Sequence, residues 1–190
     1  MVLHWAIATI HCLFVCSFSK SANLLSQWRA YGNFAIEFDR RVLEKTFELH
    51  DCIYDDEQKI LESRYLIDGA HGRLTDLYSS GDRSRINAAL EAHFDAVYGL
   101  AKFKNKSFDE EKEVRIISGV GEIELKYRAK NDHLIPYVDI EFNVEAIRAI
   151  HIGPVANQDL AEKSLWSLLK TRGLSNVDIV KSDIPFRSLR

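Results

Sequence analysis

A long helical stretch, residues 56–102, sits between segments that alternate like strands, and this uneven order constrains the fold more than any other feature. Residues 56–77 and 83–102 read as two helices. The Ser79-Ser80-Gly81-Asp82 turn between them predicts an antiparallel helical hairpin, with Asp82 or Ser84 as a cap. Beyond Lys102, residues 112–118, 122–129 and 135–142 alternate as strands, with a hairpin turn at 119–121. Residues 147–152 add a strand, 158–172 an amphipathic helix closed by Gly173, and 177–180 a last short strand. Ahead of the helices, residues 10–18 read as a central strand, apolar on both faces. Ser21 then caps a helix over 22–31 whose Leu24, Trp28 and Tyr31 share one face. Gly32-Asn33 ends that helix, and Phe34, Ile36 and Phe38 alternate as a strand. A short helix over 40–50 and a short strand at 52–54 follow. Helices and strands do not alternate as regular βαβ units. The order therefore predicts an α+β fold with a mixed or largely antiparallel sheet, shared by the strands near 11–18, 34–38, 112–118 and 122–142.

No linker-like run of Pro, Gly or Ser divides the 190 residues, so residues 1–190 are expected to form a single domain. A formal charge of −3 removes any whole-domain electrostatic case for nucleic-acid or membrane binding, although a local basic patch can survive under that average. Three cysteines, Cys12, Cys16 and Cys52, form no Cys-x-x-Cys pair. On one strand Cys12 and Cys16 would stand about 13 Å apart, too far for a disulfide. Buried thiols and a cytoplasmic location are the matching expectation. The apolar N-terminal run has no leading Lys or Arg, is interrupted by His4 and His11, and ends without a small-x-small site, so it reads as a buried strand preceded by a short helix or strand.

Glu111, Glu113 and Arg115 fall at alternate positions. If Val114 and Ile116 face the core, the two carboxylates and the guanidinium share the other face, either as a surface strand or as a functional cluster. Trp28 and Tyr31 anchor their helix or stack on a ligand. Arg29 suits a carboxylate or a ligand phosphate, because its planar guanidinium donates in pairs. Ile152-Gly153-Pro154 ends a strand at a tight backbone site but lacks the further glycines of a dinucleotide fingerprint. The seven histidines form no metal-binding word.

Ser26-Gln27-Trp28-Arg29-x-Tyr31, Phe34-Ala35-Ile36-x-Phe38-Asp39 and Phe108-Asp109-Glu110-Glu111-Lys112-Glu113-Val114-Arg115 together resemble the bacterial domain-of-unknown-function family numbered 2971. Ile135-Pro136-Tyr137, Ile152-Gly153-Pro154 and Ser182-Asp183-Ile184-Pro185-Phe186-Arg187 continue the resemblance in family order. It implies that the tail carrying Ser182 and Arg187 is docked. At a greater distance the family resembles ADP-ribosyltransferase-type folds, of the defence or toxin type, with NAD as the dinucleotide. Carried over, Glu113 stabilises an oxocarbenium-like ribose, Glu111 orients the acceptor, Tyr31 or Trp28 stacks, and Arg29 holds the dinucleotide. Ser26, Arg115, Ser182 and Arg187 complete the binding surface. Members usually begin with a segment resembling Leu-Tyr-His-Tyr-Thr, and this chain starts after it, as a truncated member would. The alternative from another class is a non-catalytic module whose Arg/Glu cleft binds a small-molecule or phosphate-bearing ligand, or a partner. Neither reading calls for a metal or a membrane. If the words form one site, Arg29, Glu113, Arg115 and Arg187 converge, with a carboxylate hydrogen-bonded to an arginine.

Overall fold

The computed structural model describes residues 13–119 and 124–186. The N-terminal apolar run, Cys12, Arg187 and positions 120–121 of the expected turn lie outside the described residues. In chain order the elements are β1 (Leu13–Ser19), α1 (Leu25–Tyr31), β2 (Phe34–Phe38), α2 (Arg40–Leu43), β3 (His50–Asp51), α3 (Asp56–Ser80) and α4 (Ile86–Leu100). They continue with β4 (Glu113–Gly119), β5 (Lys126–Lys130), β6 (His133–Tyr137), β7 (Ile147–Ile152), α5 (Gln158–Thr171) and β8 (Asp178–Lys181). The class is α+β, with the expected helical hairpin and C-terminal helix. Contacts divide the chain into two compact units, one formed by the chain up to Phe18 with Glu48–Ile140, the other by Ser19–Phe47 with the chain from Glu141 onward.

In the first unit α3 begins where the Asp55 carboxylate accepts from the Gln58 amide at 2.8 Å, with Asp56 and Glu57 in its first turn. It stops at Gly81, whose φ of 62° admits the left-handed cap, and Asp82 accepts from Ser84 to start the return. Gly99 of α4 fits against Leu66 of α3, where a Cβ would stand 2.5 Å from the Leu66 side chain. The sheet order is β1-β4-β3, so the central strand is β4 and not the expected β1. Strand β1 lies at an edge, with Val15, Cys16 and Ser17 exposed. Cys52 is half-buried, so the expectation of buried thiols fails at Cys16. Val114, Ile116 and Ile117 are all buried, which means both faces of β4 are covered.

The expected common sheet does not form. Among the described residues, strands β5 and β6 pair only with each other, turning at Asn131, which takes φ 54°, and Asp132. Strand β2 belongs to a third sheet, in the second unit. There β2 runs antiparallel to β7, with Phe34 opposite Ile152, while β7 and β8 are parallel and α5 connects them. The core is Ile152, Leu165, Leu169 and Val177, sealed by the apolar stripe of α5. Asn157 caps α5 through the Leu160 amide at 2.9 Å, and Gly173, at φ 72°, closes it. Ser21 does not cap α1, which starts at Leu25 behind an uncapped Leu24. Instead the Ser19 hydroxyl brackets the Ser21 backbone, donating to its carbonyl and accepting from its amide. Trp28 is buried as expected, but Tyr31 is 73% exposed and does not join it. Among the described residues no helix is long and apolar enough to cross a membrane.

Candidate functional site

Glu111 and Glu113 are brought together by a break in the strand rather than by strand alternation. A 3-10 turn over Lys106–Glu111 carries Glu111, and Lys112 at φ 43° and ψ 55° reverses the chain before β4 begins at Glu113. The expected strand over 112–118 is thus one residue late, and Glu111 lies outside it. Both acids are buried, at 8% and 4% exposure, which overturns the surface-strand alternative.

Three donors surround Glu113. Oε1 accepts from the Ser17 hydroxyl of β1 at 2.5 Å and from Arg115 Nε at 2.7 Å. Oε2 takes no well-directed hydrogen bond, but the Lys104 ammonium stands 2.6 Å from it and satisfies it by charge. Lys104 also stands 3.4 Å from Glu111 and over the Phe108 ring, so one ammonium spans both acids. Arg115 donates through Nη1 to the carbonyls of Ala101, which ends α4, and Phe103. The Glu113 amide donates to the Tyr54 hydroxyl at 2.7 Å, and its carbonyl accepts from Cys52.

Burial by itself raises the Glu113 pKa, but the hydrogen bonds from Arg115 and Ser17 and the Lys104 ammonium outweigh it and hold the carboxyl at about 2. Such a group is ionised at any physiological pH. It can stabilise a cation but cannot shuttle protons near neutrality. Burial also pushes the thiol of Cys52 and the phenol of Tyr54 up, so neither is an activated nucleophile. His50, directly across the ladder from Arg115, is buried with Nε2 2.7 Å from the Tyr98 hydroxyl, and burial followed by Lys102 lowers its pKa.

A second polar knot lies in the other unit. The Asn23 carboxamide oxygen accepts from Trp28 Nε1 at 2.8 Å and from the Ser182 hydroxyl at 2.6 Å, while its amide donates to Asp183 at 2.7 Å. Gln158 donates to the carbonyls of Gly153 and Ser182. Gly153 is the tight backbone site: a Cβ there would come within 2.7 Å of the Trp28 ring and 3.3 Å of the Asn33 carbonyl. The tail carrying Ser182 is therefore docked. Trp28, enclosed and with its N–H used, offers no open face for stacking.

Of the residues singled out from sequence, Glu111, Glu113 and Arg115 come together in the first unit, and Trp28 and Ser182 in the second. Ser26, Arg29 and Tyr31 are exposed on α1, and Arg29 falls in a different unit from Glu113. Sequence reading missed Ser17, Lys104, Tyr54 and Asn23. Ser17 stood inside the expected strand over 10–18 and could have been flagged by its hydroxyl between Cys16 and Phe18. Lys104 and Tyr54 carried no local signal. Among the described residues no group of three His, Cys, Asp or Glu side chains could hold a metal ion.

A family model described as a protein of unknown function, DUF2971, matches residues 27–116, which include the helix word around Trp28 and the acids of the Glu113 cluster. No curated protein and no solved structure matches the chain.

Proposed function

We propose, for a chain that belongs to the DUF2971 family of proteins of unknown function, an enzyme that cleaves a glycosidic bond of NAD by electrostatic stabilisation, in the manner of an ADP-ribosyltransferase. The observation that carries the reading is Glu113: a buried carboxylate held ionised, and aimed by Ser17 from the neighbouring strand. In the reaction the bond between ribose C1′ and the nicotinamide nitrogen breaks, and its electron pair leaves with nicotinamide. The oxocarbenium-like ribose develops positive charge, which Glu113 lowers in energy, and an acceptor nucleophile or water closes the new bond and gives up its proton. Glu111 orients that acceptor. Trp28, whose ring is enclosed, takes no part in stacking.

One observation favours the second reading, a binding module without turnover. Glu113 is already engaged by three donors, and the two acids of the cluster are balanced by Lys104 and Arg115. Incubation with NAD labelled in its nicotinamide half separates the two. Nicotinamide release by the wild type, reduced roughly 100-fold or more in Glu113→Gln, supports the enzyme. Absence of release, both in this chain and in a longer relative, with dinucleotide binding retained, supports the module.

A further inference from the structure

The β5–β6 hairpin, which plays no part in the reading of Glu113, has two unlike faces. Strand positions two apart share a face, and so do residues directly opposite one another. The pairs Lys126 with Tyr137, Arg128 with Ile135 and Lys130 with His133 therefore line one side. Tyr127 with Pro136 and Ala129 with Leu134 line the other. The first side is a row of three cations, about 6.6 Å apart at the usual strand rise, beside a row that begins and ends with a ring. Arg128 stands 6.0 Å from the centre of the Tyr137 ring. Among the described residues acids answer the two ends: Asp139 lies 2.6 Å from Lys126, on which Glu124 also acts, and Asp132 lies 3.3 Å from His133. Among the described residues none pairs with Arg128 or Lys130, and both side chains are exposed. On the second side Tyr127 is 59% and Leu134 71% exposed. An isolated two-stranded hairpin is marginally stable, so one that leaves Arg128, Lys130, His133, Tyr127 and Leu134 exposed is suited to gain contacts from a partner.

We propose that this hairpin is a docking surface for single-stranded nucleic acid. A row of cations spaced along one strand follows a phosphate backbone, and the rings beside it accept stacked bases. The paired rows favour this occupant over an acidic protein segment, which would use the cations and leave the rings idle. This is the local basic patch that the net charge of −3 leaves room for.

Fluorescence anisotropy of the full chain with a labelled oligothymidylate of about 20 nucleotides, at salt from about 50 to 200 mM, tests the proposal. The wild type should bind, with log K falling against log salt at a slope of about −1.4 for two phosphates neutralised on a single strand. Arg128→Ala with Lys130→Ala should bind roughly tenfold or more weakly, with an unchanged far-UV spectrum. Lys163→Ala with Arg172→Ala removes the same charge from the α5 region and should bind like the wild type. Absence of wild-type binding at low salt overturns the proposal, as does equal loss in both double variants. Tighter binding of a polyglutamate peptide than of the oligonucleotide also overturns it, in favour of an acidic protein partner.

Discussion

Glu113 shows how a residue legible as a motif acquires its chemistry from neighbours distant in sequence. Its nearest donors are Ser17, 96 positions earlier, Lys104 and Arg115. Neutralising one member of such a buried cluster leaves the others without an anion, a loss of about 3–5 kcal/mol. Glu113→Gln should therefore destabilise the fold whether or not the chain is an enzyme, and activity must be compared at equal foldedness. The pH dependence has a definite sign. The Glu113 pKa falls from 4.5 to about 2 on folding, so between those values the unfolded chain binds more protons, and stability is lost as pH falls through that window. The stabilisation present above pH 4.5 is on the order of 3 kcal/mol. Urea midpoints at pH 6, 4 and 3 should fall more steeply for the wild type than for Glu113→Gln. Parallel lines would show that the Glu113 carboxyl titrates alike in both states.

At the scale of elements, α1 is a short helix of seven residues without a side-chain cap, too short to persist by propensity. Its place in the second unit rests on Trp28, which reaches Asn23 through its N–H and Gly153 through its ring. Gly153→Ala would push a methyl group into an indole on one side and a backbone carbonyl on the other, neither of which yields as a flexible side chain does. The expected cost is about 1–3 kcal/mol, with a red shift and broadening of Trp28 emission. Gly99→Ala makes the contrasting control, because its methyl meets only the mobile end of Leu66 and should cost less. Equal losses for the two substitutions would argue against the Trp28 contact as the anchor.

For the whole molecule, the chain passes between the two units at residues 18, 47 and 140. Each unit is assembled from two separated segments, so neither folds from one continuous stretch. We propose that the 190 residues nonetheless unfold as one domain. Far-UV ellipticity is dominated by α3 and α4 of the first unit, whereas Trp28 and Trp166, read in a Trp5→Phe background, report on the second. In urea the two signals should share one midpoint. Separate midpoints would show two independent domains.

Local chemistry was enough to place the helical hairpin, whose Asp caps and Gly81 act within a few residues, and the β7–α5–β8 segment, where apolar spacing and Gly173 put each element within one residue of its place. The same holds for the Glu113 word as a place of interest. Tertiary structure alone decided which strands pair. Alternation states that a strand has two faces, but not which other strand lies beside it, and β1, β2, β4 and the β5–β6 hairpin went to three different sheets. It also decided burial. The stripe through Leu24, Trp28 and Tyr31 was regular, yet Trp28 is buried and Tyr31, at the end of so short a helix, is exposed. Most of all it decided the charge state of Glu113, since desolvation and three donors from separate elements converge on that carboxylate only once the chain has folded.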